Sequence, residues 1–186
     1  MTEQVKKSSR KGLTVKMISY AALFSALSIV ANVFTVYFSI NGTNALSFTY
    51  TVCFLAGALC GPLVGGIVGF VGDVLGWVIN STGGAFNPVI TLSSVLIGVI
   101  SGFVFLISKK TGKPDACVVP TIISFIFIFL ICTNINTIGL YFYYMSGKYT
   151  FWAYYIIRTP KQLILWAINM VICIIITKPM KKLLRM

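Results

Sequence analysis

Histidine is absent from this chain, and acidic residues nearly so: three Asp and Glu stand against 15 Lys and Arg. Without histidine the most common general base and a leading metal ligand are missing. The acids offer no pair of carboxylates for acid–base work. No GxSxG nucleophile motif and no Walker phosphate loop occurs, so neither the usual hydrolase signature nor a means of powering transport is present. The five cysteines, Cys53, Cys60, Cys117, Cys132 and Cys173, form no CxxC pair. With no histidine beside them they argue against zinc, haem and a thiol–disulfide relay, and read as small apolar fillers. No metal and no cofactor is expected. Charge is scarce as well, at 10% of residues, where soluble domains carry about 25%.

What remains is apolar. Hydrophobic residues make up 58% of the 186, and the mean hydropathy is +0.93. The expectation is an all-α integral membrane protein with one domain, residues 16–178, between basic tails at 1–15 and 179–186. The N-terminal basic stretch runs into an apolar segment of spanning length with no clear cleavage site, so no signal peptide is expected. Six helices are predicted: about Met17–Phe38, Phe48–Cys60, Pro62–Asn80, Asn87–Ser108, Cys117–Tyr144 and Phe151–Thr177. The second, with 13 residues, is short for a span. The loop at Asn41–Ser47 is expected to fold over it. Gly61-Pro62 marks a sharp break, with the proline suited to a first helical turn.

Twelve of the 15 basic residues fall in three clusters, at residues 6–16, 109–113 and 178–185. Six spans put all three on one side of the membrane, which the positive-inside rule makes the cytoplasm. An odd number would split the terminal clusters. The net charge of +12 is therefore mostly topology and needs no nucleic-acid partner. Lys148, Arg158 and Lys161 are left over, and this arrangement places them toward the outer side.

Two stretches stand out as candidate sites. Gly57, Gly61, Gly65, Gly69, Gly72 and Gly76 recur at three- and four-residue intervals, a spacing that lets helices approach closely in lipid. Asp73 sits inside this stripe. An ionisable residue within a membrane span is a functional candidate by default. Trp77, four residues on, shares its face, and a polar turn from Asn80 through Phe86 and Asn87 to Pro88 follows. In the last helix Arg158, Lys161 and Gln162, at i, i+3 and i+4, share a face, while Pro160 is expected to disturb the first turns and free carbonyls. The functional reading is a cationic clamp for an anionic ligand. The structural readings are snorkelling to headgroups and an Arg158–Asp73 ion pair. Asn134 and Asn136 need partners inside a bundle. Ser19, Ala22 and Ala26 form a small-residue face suited to another helix.

Together these features resemble the substrate-binding S components of energy-coupling-factor vitamin transporters. The residues carrying the likeness are Ala22-Leu-Phe-Ser-Ala26, Gly57-Ala-Leu-Cys-Gly-Pro62 and Gly69-Phe-Val-Gly-Asp73, set in six helices within 200 residues. Gly84-Ala-Phe-Asn-Pro88 with Thr91-Leu92, and Arg158-Thr-Pro-Lys-Gln162, resemble the folate-specific members. The resemblance implies a high-affinity binder with no transport or enzymatic activity of its own. It implies a prokaryotic plasma membrane, a membrane coupling subunit and two cytosolic ATPases as partners, and docking through Ser19, Ala22 and Ala26. It further implies a folate pocket at the outer end. There Arg158 anchors carboxylate with help from Lys161 and Gln162, and Asp73 and Asn87 face the donor-rich edge of the pterin. Trp77, Asn80, Phe86, Pro88 and Asn134 complete the expected site. Related scaffolds take thiamine, riboflavin, biotin, pantothenate and queuosine precursors. The rival classes are a secondary transporter, for which no inverted repeat is found, and a ligand-free structural membrane protein.

Overall fold

The computed structural model describes residues 15–37, 39–40, 44–45, 47–79, 86–110 and 117–184. The predicted Asn80, most of the turn that follows it and nearly all of the N-terminal basic tail lie outside them. The chain builds α1 (Val15–Tyr37), a minimal antiparallel pair β1 (Ser39–Ile40) and β2 (Asn44–Ala45), then α2 (Phe48–Cys60) and α3 (Pro62–Ile79). After these come α4 (Pro88–Lys110), α5 (Val118–Leu140) with a π-helical turn at Tyr141–Met145, and α6 (Phe151–Leu184). Ser39 pairs with Ala45 and Ile40 with Asn44.

Five of the six helices are long and apolar enough to cross a membrane. The sixth, α2, rises about 20 Å at 1.5 Å per residue and falls short of the roughly 30 Å hydrocarbon core. It survives because it lies inside the bundle: nine of its residues, from Thr49 to Ala58, are buried. The other helices carry large apolar side chains on their outer faces, such as Leu23, Phe34, Phe70, Phe103 and Ile164. That is the arrangement of a multi-pass membrane protein, with lipid as the solvent for those faces.

The glycine stripe resolves into three contacts. Gly61 adopts φ 97°, a left-handed conformation open to glycine, and ends α2. A Cβ on Gly57 or Gly65 would fall on the Gly98 carbonyl of α4, one on Gly69 would meet the backbone of Ser94, and one on Gly72 or Gly76 would strike Ser28 or Asn32 of α1. The stripe therefore serves two neighbours, not one. Gly98 and Gly102 answer from α4 against Gly65 and Pro62.

The cysteines agree with their expected role. Cys53, Cys132 and Cys173 are buried, Cys60 and Cys117 partly so, and all are free thiols.

The last helix departs from expectation at its end. It continues past Thr177 through Pro179 to Leu184, because one missing donor near a helix end costs little there. It passes through Pro160 without ending, as the predicted span has it. Next to the Ile156 carbonyl that the proline cannot serve, the Thr159 hydroxyl donates to the Tyr155 carbonyl at 2.7 Å, a common local remedy in membrane helices.

Candidate ligand-binding site

The buried line of α6 runs Tyr154, Arg158, Trp166, Asn169, Cys173, Thr177, steps of three, four and eight residues that keep to one side of a helix. It packs against α5 and α2. Arg158 is 5% exposed. Its Nη1 donates to the Asn136 backbone carbonyl at 3.2 Å and to the Tyr154 hydroxyl at 3.5 Å. The guanidinium carbon lies 5.9 Å from the Tyr154 ring centroid. Its Nε is buried with no hydrogen-bond partner among the described residues. A carbonyl and a phenol do not compensate a buried cation as a carboxylate would. Among the described residues the titratable groups acting on Arg158 are Tyr154 and Tyr50, with no carboxylate beside them, and Asp73 is instead bonded to Thr91. The Arg158–Asp73 ion pair considered from sequence is therefore not formed.

Asn136 extends the site. Its Nδ2 donates to the Tyr50 hydroxyl at 3.4 Å, and its Oδ1 is buried with no partner. Tyr50 comes from α2 and lies within electrostatic reach of both Arg158 and Asp73. Its ring stacks on Trp166 at 5.5 Å between centroids and 8° between planes. The indole Nε1 of Trp166 in turn donates to Thr133 Oγ1 at 3.1 Å.

A second group of polar side chains comes from α3 and α4. Asp73, half-buried, accepts a 2.6 Å hydrogen bond from the Thr91 hydroxyl, with Asn32 and Ser94 also in hydrogen-bonding reach. Asn87 caps α4: its Oδ1 accepts from the Val89 N–H at 3.0 Å, and Pro88 takes the first helical position as capping rules favour. Its Nδ2 is buried with no hydrogen-bond partner among the described residues. Trp77 and Phe86 meet edge to face at 5.3 Å, and Phe86 and Pro88 are exposed.

The structure thus gathers Arg158 with Asn136, and Asp73 with Asn87 through the start of α4. It separates two other predicted residues from them. Lys161 is exposed and Gln162 only half-buried. Stepping three residues turns a helix by about 300° and four by about 400°, so the buried side holds Arg158 and grazes Gln162 while Lys161 turns out. Asn134 is used locally. Its Nδ2 donates to the Leu130 carbonyl and its Oδ1 accepts from the Tyr155 hydroxyl at 2.9 Å, joining α5 to α6 on the flank opposite Asn136.

Three residues of this site were missed as ligand candidates: Tyr50, Thr91 and Tyr154. Tyr154 sits four before Arg158, a spacing that could have found it. Thr91 lay in a motif but gave no sign that its hydroxyl meets Asp73. Tyr50 is one of nine tyrosines, with no charged motif beside it to single it out.

On α1 the inner face carries Phe24, Ser25, Ser28 and Ala31, while Ser19, Ala22 and Ala26 are exposed. The small-residue face predicted for docking thus points away from the bundle.

The family model for the ECF transporter, substrate-specific component, matches residues 16–177. The folate transporter FolT of Clostridium novyi (strain NT) is 31% identical over 159 residues, covering 85% of this chain and 86% of that protein. Among solved structures, a crystal structure of FolT bound with folic acid aligns with a TM-score of 0.68 over 86% of this chain and 91% of that one. At 22% identity that is a likeness of fold.

Proposed function

The chain belongs to the family of ECF transporter substrate-specific components, and on that footing we propose that it is the membrane-embedded folate-binding subunit of such a transporter. It hands its ligand to a membrane coupling subunit driven by two cytosolic ATPases, in a prokaryotic plasma membrane with both termini cytoplasmic. Its own part is binding, not catalysis.

The observation that carries this reading is Arg158: a guanidinium inside the bundle whose Nε has no hydrogen-bond partner, and which has no carboxylate partner, among the described residues. Such a charge is costly in a membrane unless something completes it. A ligand with carboxylates does so, and the planar guanidinium fork suits them. Asp73 of α3 and the amide of Asn87 at the start of α4 suit the donor- and acceptor-bearing edge of a pterin. Lys161, turned outward, adds positive charge near the site without joining it. The exposed Ala22 and Ala26 leave room for the backbone of a coupling subunit to approach.

The direct test is purification from folate-replete cells. A pteridine absorbance co-purifying with the protein, and released on denaturation, is expected. A preparation that carries no pteridine and takes up no added folic acid overturns the folate assignment.

A further inference from the structure

Below Arg158 an aromatic column runs into the core. Tyr50 stacks on Trp166, Trp166 meets Phe125 edge-on at 6.0 Å, and Phe125 meets Phe54 at 4.9 Å. Every ring beneath Tyr50 in this column is nearly closed off, with Trp166 at 6%, Phe125 at 5% and Phe54 at 0% exposure. Tyr50 keeps part of its surface open. It is therefore the top of the column, the last ring before the polar site.

Its position is fixed from two sides. Trp166 is locked by its indole N–H on Thr133, which holds the plane on which Tyr50 lies. The Asn136 amide holds the phenol oxygen. Tyr50 also springs from α2, the most enclosed helix. It stands within electrostatic reach of both Asp73 and Arg158. Three buried polar atoms have no hydrogen-bond partner among the described residues: Oδ1 of Asn136, whose amide meets the Tyr50 hydroxyl, Nε of Arg158 and, one residue before Tyr50 in the chain, Oγ1 of Thr49. Buried polar groups ordinarily have partners.

We infer that Tyr50 is the stacking floor of the site: the planar heterocyclic head of the ligand lies on the ring face turned away from Trp166, between Asp73 and Arg158. This inference rests on the folate reading. Aromatic rings prefer offset stacking on such platforms, and a ring clamped by Trp166 and Asn136 loses little freedom when the ligand arrives. Tyr50 then sets specificity for flat ligands, whereas Arg158 reads charge.

The test is calorimetry with folic acid and with pteroic acid, which shares the rings but lacks the glutamate. Tyr50→Leu is expected to weaken both by about tenfold or more, the effect of removing one stacked ring. Tyr50→Phe, which keeps the ring and drops the hydroxyl, should stay within about threefold of wild type. Bound folic acid should show a red-shifted, weakened pteridine absorption in wild type and Tyr50→Phe. That spectrum needs no variant, so it stands even if Tyr50→Leu does not fold. Normal wild-type binding with an unshifted spectrum, or with Tyr50→Leu as tight as wild type, overturns the inference alone. So does a Tyr50→Phe loss equal to that of Tyr50→Leu. A wild-type protein that binds no folic acid overturns the folate reading and the inference with it.

Discussion

Where α3 meets α4 the backbones touch. Gly65 faces Gly98, and Gly69 faces Ser94, with no side chain between them. Where α6 meets α2 and α5 the joins are made by side chains: Thr51 donates to Asn169 Oδ1 at 3.0 Å, Trp166 to Thr133 at 3.1 Å, and Tyr50 stacks on Trp166. Both wedges are packed from one sequence in one bilayer, so the contrast is informative. Close glycine packing gains dispersion contacts and leaves no space for a ligand. Polar and aromatic joins keep hydrogen-bonding groups inside the bundle, and some of those groups remain unsatisfied. The first join is a frame. The second is a frame that also carries polar groups able to do chemistry.

If that division is right, damage to the frame should be the more severe. Gly65→Leu places a side chain against the Gly98 carbonyl and the Gly57 Cα. Backbone cannot move aside as a side chain can, and the expected cost is at least about 3 kcal/mol. Thermal unfolding in detergent should show a large loss of folded protein. Gly147→Ala, where an added Cβ meets nothing within 4 Å, should melt like wild type. Equal behaviour of the two variants would dissolve the contrast.

The outward face of α1 sharpens it next. Ala26→Trp should bring folate uptake down to background in cells while purified protein binds folic acid within about threefold of wild type. The substitution lies on an exposed position away from Arg158. Binding and uptake falling together would mean that Ala26 serves internal packing and not docking.

Smallest is the expected effect of Asn169→Leu. It removes one buried interhelical hydrogen bond, the one the Thr51 hydroxyl donates. Such bonds in membranes contribute about 0.6 kcal/mol, up to about 1.7. The melting temperature should fall slightly, less than for Gly65→Leu. A collapse comparable to Gly65→Leu would show that the α6 joins bear as much of the fold as the glycines do.

Much of the fold was readable because its punctuation is chemical. Gly61-Pro62 marks the end of α2 and the start of α3, and both ends of the short Phe48–Cys60 helix agree with the structure. The site was readable only in part. Asn134 and Asn136 looked alike, yet two residues turn a helix by about 200°, so one joins α5 to α6 and the other faces Tyr50. Lys161 parted from Arg158 for the same geometric reason, since which side of α6 is buried depends on where α5 and α2 lie. Tyr50 was hidden among many aromatics because its value comes from Trp166, over a hundred residues away. Local pattern carries helix ends well. It cannot carry which of two near-equivalent faces the tertiary fold will choose.

The account turns on Arg158 as the anchor for the carboxylates. The measurement that bears on it most directly is the calorimetric affinity of wild type and Arg158→Ala for folic acid and pteroic acid. Charged hydrogen bonds contribute about 1.5–3 kcal/mol, at roughly 1.4 kcal/mol per decade. Folic acid binding is therefore expected to weaken at least tenfold, and pteroic acid binding distinctly less. Unchanged folic acid affinity, or an equal loss for both ligands, would contradict it.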